Sequence, residues 1–293
     1  MPAKPSVLVF GKAGQLATAL CAQSGWSIFA LSRTEADATS AEAVRAAIRQ
    51  HAPQLVINAS AYTAVDKAEA ERDAALALNM RAPGVMAQAS AEAGAAFVHV
   101  STDYVFDGEI GAPYAEDYPT SPVNFYGETK ELGERAVLGA GGRSAVIRTS
   151  WVFSGGGANF VRTMMRLAKD RDEIGVVGDQ HGRPTGADDL AETCLAVGER
   201  LAAGDPSAGG IFHFANTGDA SWAELASAVM RESAGIGLKA ARIRPITTAE
   251  YPTPAKRPRD SRLATGRIEA LMGKAPRPWS APLSEAVRAL AAL

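Results

Sequence analysis

Tyr126 and Lys130 stand four residues apart within the run Ser121–Lys130, and Thr102 lies upstream in the run Ser101–Phe106. On a helix, positions i and i+4 share one face, so a phenol and an ammonium would lie side by side. An ammonium beside a phenol favours the phenolate, which makes the tyrosine a better acid–base group near neutral pH. A hydroxyl such as that of Thr102 can hydrogen-bond a carbonyl oxygen in the same place. Together the three residue types suit reduction of a carbonyl, in which a hydride and a proton are delivered to one bond.

A source of hydride is suggested by a second constellation near the N-terminus. The run Gly11-Lys12-Ala13-Gly14-Gln15-Leu16-Ala17 has the form G-x-x-G-x-x-A and follows an apolar stretch. Gly11 permits a tight turn, Gly14 lets the backbone approach a pyrophosphate, and Ala17 allows close helix packing, with the helix N-terminus facing the phosphates. The end of the second strand usually decides between the two nicotinamide cofactors. An acidic residue there would bind the ribose diol, whereas this chain has Ser32-Arg33-Thr34. A hydroxyl followed by a guanidinium suits a 2'-phosphate, so NADPH is the cofactor expected, with NADH as the alternative. Asp37 is placed at the adenine end.

The elements that must position these residues can be read from the hydrophobic pattern. Strands are expected at 7–10, 27–31, 55–58, 97–100 and 145–152. Helices are expected from the glycine loop to about Ser24, then at 41–50, 68–80, 82–93 and 124–138, with Asn124 as N-cap of the last. This alternation predicts an α/β fold, a doubly wound parallel sheet with helices on both faces. Thr102 would then sit just beyond the carboxyl end of a strand, where such sheets bind ligands. After Trp151 the pattern loosens. Gly155 to Gly157 mark a loop, helices follow at 160–169, 188–203, 222–234 and 283–293, and Gly210 to Phe214 reads as a strand returning to the sheet. The proline-rich run from Pro245 to Pro258 reads as a loop or extended segment. The division expected is a nucleotide-binding domain over 1–152 with a returning segment near 186–216. A smaller, discontinuous substrate lobe is expected over 153–185 and 217–293.

Bulk properties narrow the class. The 293 residues are 47% hydrophobic and 21% charged with a formal charge of −2, an ordinary globular balance that gives no sign of a nucleic-acid or membrane surface. No stretch reaches the apolar length of a membrane span, and two cysteines, Cys21 and Cys194, suggest reduced thiols in a cytoplasmic protein. His51, His181 and His213 have no metal-ligand spacing, and His99 reads as a core or supporting residue. Trp151 could stack on a sugar or base or belong to the core.

These strings together resemble the extended short-chain dehydrogenase/reductases, and within them the dTDP-4-dehydrorhamnose reductase family. The matching runs are G-K-x-G-Q-L from Gly11, N-A-x-A-Y-T-A-V-D-x-A-E from Asn58, S-T-D-Y-V-F-D-G from Ser101, S-P-x-N-x-Y-G-x-T-K from Ser121 and R-T-S-W-V from Arg148. Further along come G-x-P-T-G from Gly182, Y-P-T-P-A-x-R-P from Tyr251 and S-x-L from Ser261. The resemblance implies reduction of the 4-keto group of dTDP-4-dehydro-L-rhamnose by NADPH or NADH. It places Gly14, Gln15 and Leu16 on the cofactor phosphates and Ser32 and Arg33 at the adenosine ribose. Ala61, Tyr62 and Thr63 would run along the cofactor, Thr102, Asp103 and Trp151 would face the sugar, and Tyr126 and Lys130 would do the proton chemistry. Some members carry a glutamate on the first helix that contributes to a magnesium site between two subunits. Here that position is Ala19; Asp188 could match a second ligand, and no metal ligand set is assigned. A homodimer stays open. So do two other readings: nucleotide-sugar epimerases and dehydratases share the tyrosine–lysine pair, although dehydratases need an acidic pair where this chain has Asp103-Tyr104. The regulatory subunit of methionine adenosyltransferase, a binding partner, also resembles the family.

Overall fold

The computed structural model describes residues 4–293. Its centre is a six-stranded parallel sheet in the order β10-β5-β4-β3-β1-β2. These strands are β1 Ser6–Phe10, β2 Ser27–Leu31, β3 Leu55–Asn58, β4 Ala96–Thr102, β5 Ser144–Thr149 and β10 Gly210–His213. β1, β3 and β4 are buried along nearly their whole length because helices cover both faces of the sheet. On one face lie α1 Gln15–Cys21 and α8 Ala187–Ala202. The other carries α2 Ala41–His51, α5 Ala82–Glu92 and α6 Phe125–Gly139. The returning strand expected at 210–214 pairs in parallel with β5, from Gly210 opposite Ala145 to His213 opposite Arg148.

Three local expectations are corrected. The first helix stops at Cys21 rather than near Ser24. The helical stretch read as 68–80 is three pieces, α3 Val65–Ala68, α4 Arg72–Leu76 and a π-helical turn Ala77–Arg81 that runs straight into α5, so Pro83 sits in a first turn and breaks nothing. The π turn aims Asn79 inward, where its amide bonds both backbone groups of Tyr62 and the Thr129 hydroxyl of α6. The fifth strand ends at Thr149, not at Val152. Trp151 takes a left-handed φ of 50°, and Val152–Phe153, β6, pairs instead with Thr185–Gly186, β9.

A second apolar cluster gathers α7 Phe160–Asp170, α9 Trp222–Gly235 and α11 Ser280–Ala291 around β7 Glu173–Val177. β7 pairs in parallel with β12 Arg242–Ile246, so the start of the proline-rich run is a strand. Pro245 is tolerated there because a two-stranded sheet has free edges. The short strands β8 His181–Gly182 and β11 Ala220–Ser221 pair antiparallel, and α10 Gly266–Met272 packs against β10. Among the described residues no helix is long and apolar enough to cross a membrane.

Candidate active site

The start of α6 is held from three sides. Asn124 caps it by accepting the Gly127 N–H at 2.8 Å, and its own amide donates to the Lys256 carbonyl at 2.8 Å. The Phe125 N–H is taken by Glu69 Oε1 at 2.8 Å. At Gly127 a Cβ would lie 2.1 Å from the Tyr104 carbonyl oxygen, so only glycine lets the helix press onto the turn that follows β4. Runs far apart in sequence are thereby tied to one helix end. Arg257 adds a two-pronged pair with Asp66, both contacts at 2.9 Å.

α6 presents Tyr126 and Lys130 to a cleft of about 510 Å³ at the carboxyl ends of the sheet strands. Of the residues singled out from sequence, Gly14, Gln15, Leu16, Ala61, Thr63, Thr102, Asp103, Tyr126, Lys130 and Trp151 line it together. Gly11, Ser32, Arg33, Asp37 and Tyr62 do not. Gly11 shapes the loop from behind: its φ is 111°, and a Cβ there would meet the Ala59 carbonyl at 2.9 Å. Ser32 is turned to Glu35, which accepts its N–H at 2.8 Å and its hydroxyl at 2.7 Å. These bonds and the Lys12 ammonium hold the exposed Glu35 carboxyl down at about 2. The Arg33 side chain is 84% exposed and reaches Asp37 at 3.4 Å. The Tyr62 hydroxyl points away to Glu71 at 2.7 Å.

The polar cleft residues to which the sequence reading gave no role are Asn58, Ser60, Ser101, Thr149 and Ser150. All lie at the ends of β3, β4 and β5 or just past them, so the rule that found Thr102 could have found them too.

The electrostatics of the cleft floor depart from the simple picture of an ammonium acidifying a phenol. Close packing pushes the Tyr126 phenol up to about 12; the Thr102 hydroxyl pulls it back and the nearby Asp103 carboxyl pushes it further up. Lys130, 1% exposed, is itself brought down to about 8 by burial, against the opposing pull of Glu134. Its Nζ donates to the Val100 carbonyl at 2.7 Å and lies 3.3 Å from His99 Nε2. Burial also lifts Asp103 to about 7, opposed by the nearby Ser261 hydroxyl and by the Thr102 hydroxyl, which donates to Oδ1 at 3.0 Å. Desolvation thus outweighs pair attraction here, because so little of these groups reaches water.

Two polar atoms of the floor, Ser101 Oγ and Asp103 Oδ2, are buried with no partner in the protein. Unsatisfied buried polar atoms beside a cleft suit a ligand rich in hydroxyls and carbonyls. At the other side α1 opens at Gly14 with no side-chain cap, which leaves its first N–H groups for a ligand's phosphates. The Gln15 side chain is used internally: it donates to the Val152 carbonyl at 3.3 Å and accepts from Ser154 at 2.9 Å. Trp151 stacks on Trp222 with ring centroids 3.6 Å apart, so one face of its indole is closed to any ligand. The donor set therefore fits a dinucleotide and a polar second ligand.

The family model described as RmlD substrate binding domain matches residues 5–292. A dTDP-4-dehydrorhamnose reductase of Streptomyces griseus is 43% identical over 291 residues, covering 98% of this chain and 94% of that protein. The chain belongs to the dTDP-4-dehydrorhamnose reductase family. Solved structures of this family are similar throughout. The reductase of Clostridium acetobutylicum superposes with a TM-score of 0.91 at 35% identity, covering 98% of this chain and 99% of that one. The reductase of Bacillus anthracis, in complex with NADP, gives a TM-score of 0.87 at 32% identity, with 99% of each chain covered. Among the described residues of this family member, no group of three or more histidines, cysteines or carboxylates is placed to hold a metal ion.

Proposed function

We propose that this protein reduces the 4-keto group of dTDP-4-dehydro-L-rhamnose to give dTDP-L-rhamnose, in the cytoplasm, with NADPH as the preferred cofactor. The observation that carries the reading is that Thr102, Asp103, Tyr126 and Lys130 line one cleft with the uncapped start of α1. The membership of the reductase family, and the NADP held by its Bacillus anthracis member, support it. Reduced nicotinamide supplies the hydride when bound. Tyr126 Oη–H gives its proton to the oxygen that becomes an alkoxide, and the Thr102 hydroxyl hydrogen-bonds the same oxygen. A phenol held up at about 12 keeps its proton until a strong base such as an alkoxide appears beside it. Asp103 Oδ2 and Ser101 Oγ are the free polar atoms that would meet sugar hydroxyls. Gln15 and Leu16 would hold the phosphates by backbone N–H groups; Gly14, whose own N–H goes to the Gly11 carbonyl at 3.0 Å, would let the phosphates approach, and Gly11 would shape the loop. Ala61, Tyr62 and Thr63 would follow the cofactor, and Ser32, Arg33 and Asp37 would meet its adenosine end. The sugar nucleotide would lie between the carboxyl ends of the sheet strands and the segments 153–185 and 217–293, with Trp151 beside it.

The test is oxidation of NADPH by purified protein offered the 4-keto sugar nucleotide. Stoichiometric oxidation with formation of the 4-hydroxy sugar is expected. An epimerase would regenerate its cofactor and show no net oxidation, and a pure binding partner would show no turnover; either result sinks the proposal. Sedimentation of the same sample decides whether a homodimer is the active form.

A further inference from the structure

Gln15 belongs to the glycine loop and opens α1, yet its side chain is spent on the far side of the cleft, on the segment that follows β6. Its Nε2 donates to the Val152 carbonyl at 3.3 Å, and its Oε1 faces Ser154 Oγ at 2.9 Å. The amide cannot turn round, because a carbonyl only accepts and so fixes the NH2 on Val152. Ser154 has one hydroxyl proton and two acceptors within reach, Gln15 Oε1 and the Gly156 carbonyl at 2.8 Å. The Gly156 carbonyl already takes Asn159 Nδ2 at 3.0 Å, whereas Oε1 has no other donor among the described residues. The Ser154 proton therefore goes to Gln15.

The segment 154–158, between β6 and α7, has no regular structure. Most of its support comes from the C-terminal cluster. The Asn159 amide grips the Ser154 and Gly156 carbonyls at 3.0 Å each, and Arg162 holds the Gly157 carbonyl at 3.2 Å. Gly155 lies so close to α11 that a Cβ there would meet that of Ala289 at 2.6 Å. Toward the sheet, the bond from Ser154 to Gln15 is the sole hydrogen bond among the described residues that joins 154–158 to residues 4–150. The segment nevertheless reaches over the glycine loop. Gly157 and Ala158 line the cleft together with Ala13, Gly14 and Gln15, and a Cβ on Gly157 would lie 3.8 Å from Gln15 Cγ. Gly155 to Gly157 leave this backbone little stiffness of its own, so its place over the loop depends on what fastens it.

We propose that Ser154 is a positioning residue: its hydroxyl, through Gln15, fastens the segment 154–158 over the glycine loop as a cover that slows escape of a bound dinucleotide. The inference rests on the reading of that loop as the cofactor site. Gln15 is the residue that joins the two parts. Its backbone faces the place of the phosphates, and its side chain holds the cover. A ligand beneath gains contacts from both sides only while the clasp is closed.

The test is binding of NADP+ to full-length protein, by calorimetry for affinity and by stopped flow for rates. In Ser154→Ala affinity is expected to fall about two- to tenfold, the worth of one neutral hydrogen bond, with the loss carried by faster dissociation. Gln15→Met keeps the backbone N–H and removes both side-chain bonds. On that background Ser154→Ala should cost less than about a further twofold, because the clasp is already open. Unchanged affinity or an unchanged dissociation rate in Ser154→Ala overturns the proposal. So does full additivity of the two substitutions, which would mean that Ser154 acts only within its own loop. Ser154→Cys, similar in shape with a weak S–H donor, takes the place of the alanine variant if that one does not fold. Wild-type protein that binds no NADP+ overturns the clasp together with the cofactor assignment. Wild-type binding without turnover of the keto sugar sinks the reductase reading and leaves the clasp to be decided by the variants above.

Discussion

Lys130 and Arg33 are both cations expected to meet one cofactor, yet solvent treats them in opposite ways. Lys130 is 1% exposed, and its burial lowers its hold on a proton. The Arg33 side chain is 84% exposed, just past the edge strand β2, with a single long contact to Asp37. The buried end of the site is set by covalent framework and close packing before any ligand arrives. The exposed end must be ordered by the ligand itself, so its contribution is diluted by water and by side-chain entropy. The lesson is that one sequence motif can mark a tuned group or merely a reachable one, and only burial distinguishes them.

Removing the phenol breaks the buried end most severely. Tyr126→Phe should lower turnover by about two to four orders of magnitude, because general acid catalysis is lost. Cofactor affinity should stay close to wild type, since the hydroxyl contributes little to binding. Single-turnover kinetics beside a fluorescence titration of NADPH would separate the two effects, and wild-type turnover would end the assignment.

The framework behind that end can be broken separately. Arg148 and Glu134 are each 3% exposed at their side chains and joined at 2.7 Å, linking β5 to α6 two turns beyond Tyr126. Glu134→Gln leaves the guanidinium buried without a counter-charge, and stability should fall by about 3–5 kcal/mol. Urea unfolding would measure it. Arg33→Ala, by contrast, should leave stability within about 0.5 kcal/mol. Equal losses in the two variants would erase the distinction between the ends.

The same contrast governs how much could be read from the sequence. The strands Ser6–Phe10 and Leu55–Asn58, and the cap at Asn124, are legible because local pattern and tertiary burial agree. β7 and β12 are not, because they form a two-stranded sheet whose β12 is mostly exposed and carries Pro245. Neither alternation nor apolar content marks such a strand. The strands β6, β8, β9 and β11 are two residues each, too short for any period. Trp151 defeats the pattern differently: its left-handed φ is disfavoured locally and is held by stacking on Trp222 and by the Thr185 N–H on its carbonyl at 3.3 Å. In the site, residue types and spacing gave the membership of the cleft for Thr102, Tyr126 and Lys130. They could not give the burial that lowers Lys130, which comes from its packing against β4, distant in sequence.

Smaller effects should follow at the exposed end. Arg33→Ala should weaken NADPH by about ten- to a hundredfold and NADH by much less, the loss of a hydrogen bond to a charged phosphate. Of the carboxylates beside that position, Glu35 is already occupied by Ser32 and Lys12, and Asp37 accepts the Thr39 N–H at 2.9 Å and its hydroxyl at 2.7 Å, so neither stands free for a ribose diol in the resting protein. Equal losses for both cofactors would show that Arg33 does not read the phosphate.

The smallest expected effect is none at all, on removal of magnesium. A cation site needs oxygen ligands free to turn toward it. At the start of α8, Asp189 is taken by Arg277 at 2.9 and 3.0 Å and by the Asn216 amide at 2.5 Å. The same Arg277 spans to Glu285 at 2.7 and 2.8 Å. The guanidinium thus stands among the carboxylates as their own counter-ion. Asp188 remains, exposed to solvent yet raised by partial desolvation and by the charges of Asp189 and Glu285, and Ala19 on α1 offers no oxygen. Carbonyl reduction here draws on the Tyr126 and Thr102 hydroxyls for the developing alkoxide, so the chemistry has its donors without a Lewis acid. Protein stripped with EDTA should oxidise NADPH with the keto sugar at the untreated rate and sediment at the same mass. Collapse of activity that magnesium alone restores would show that the arginine clamp opens to admit an ion.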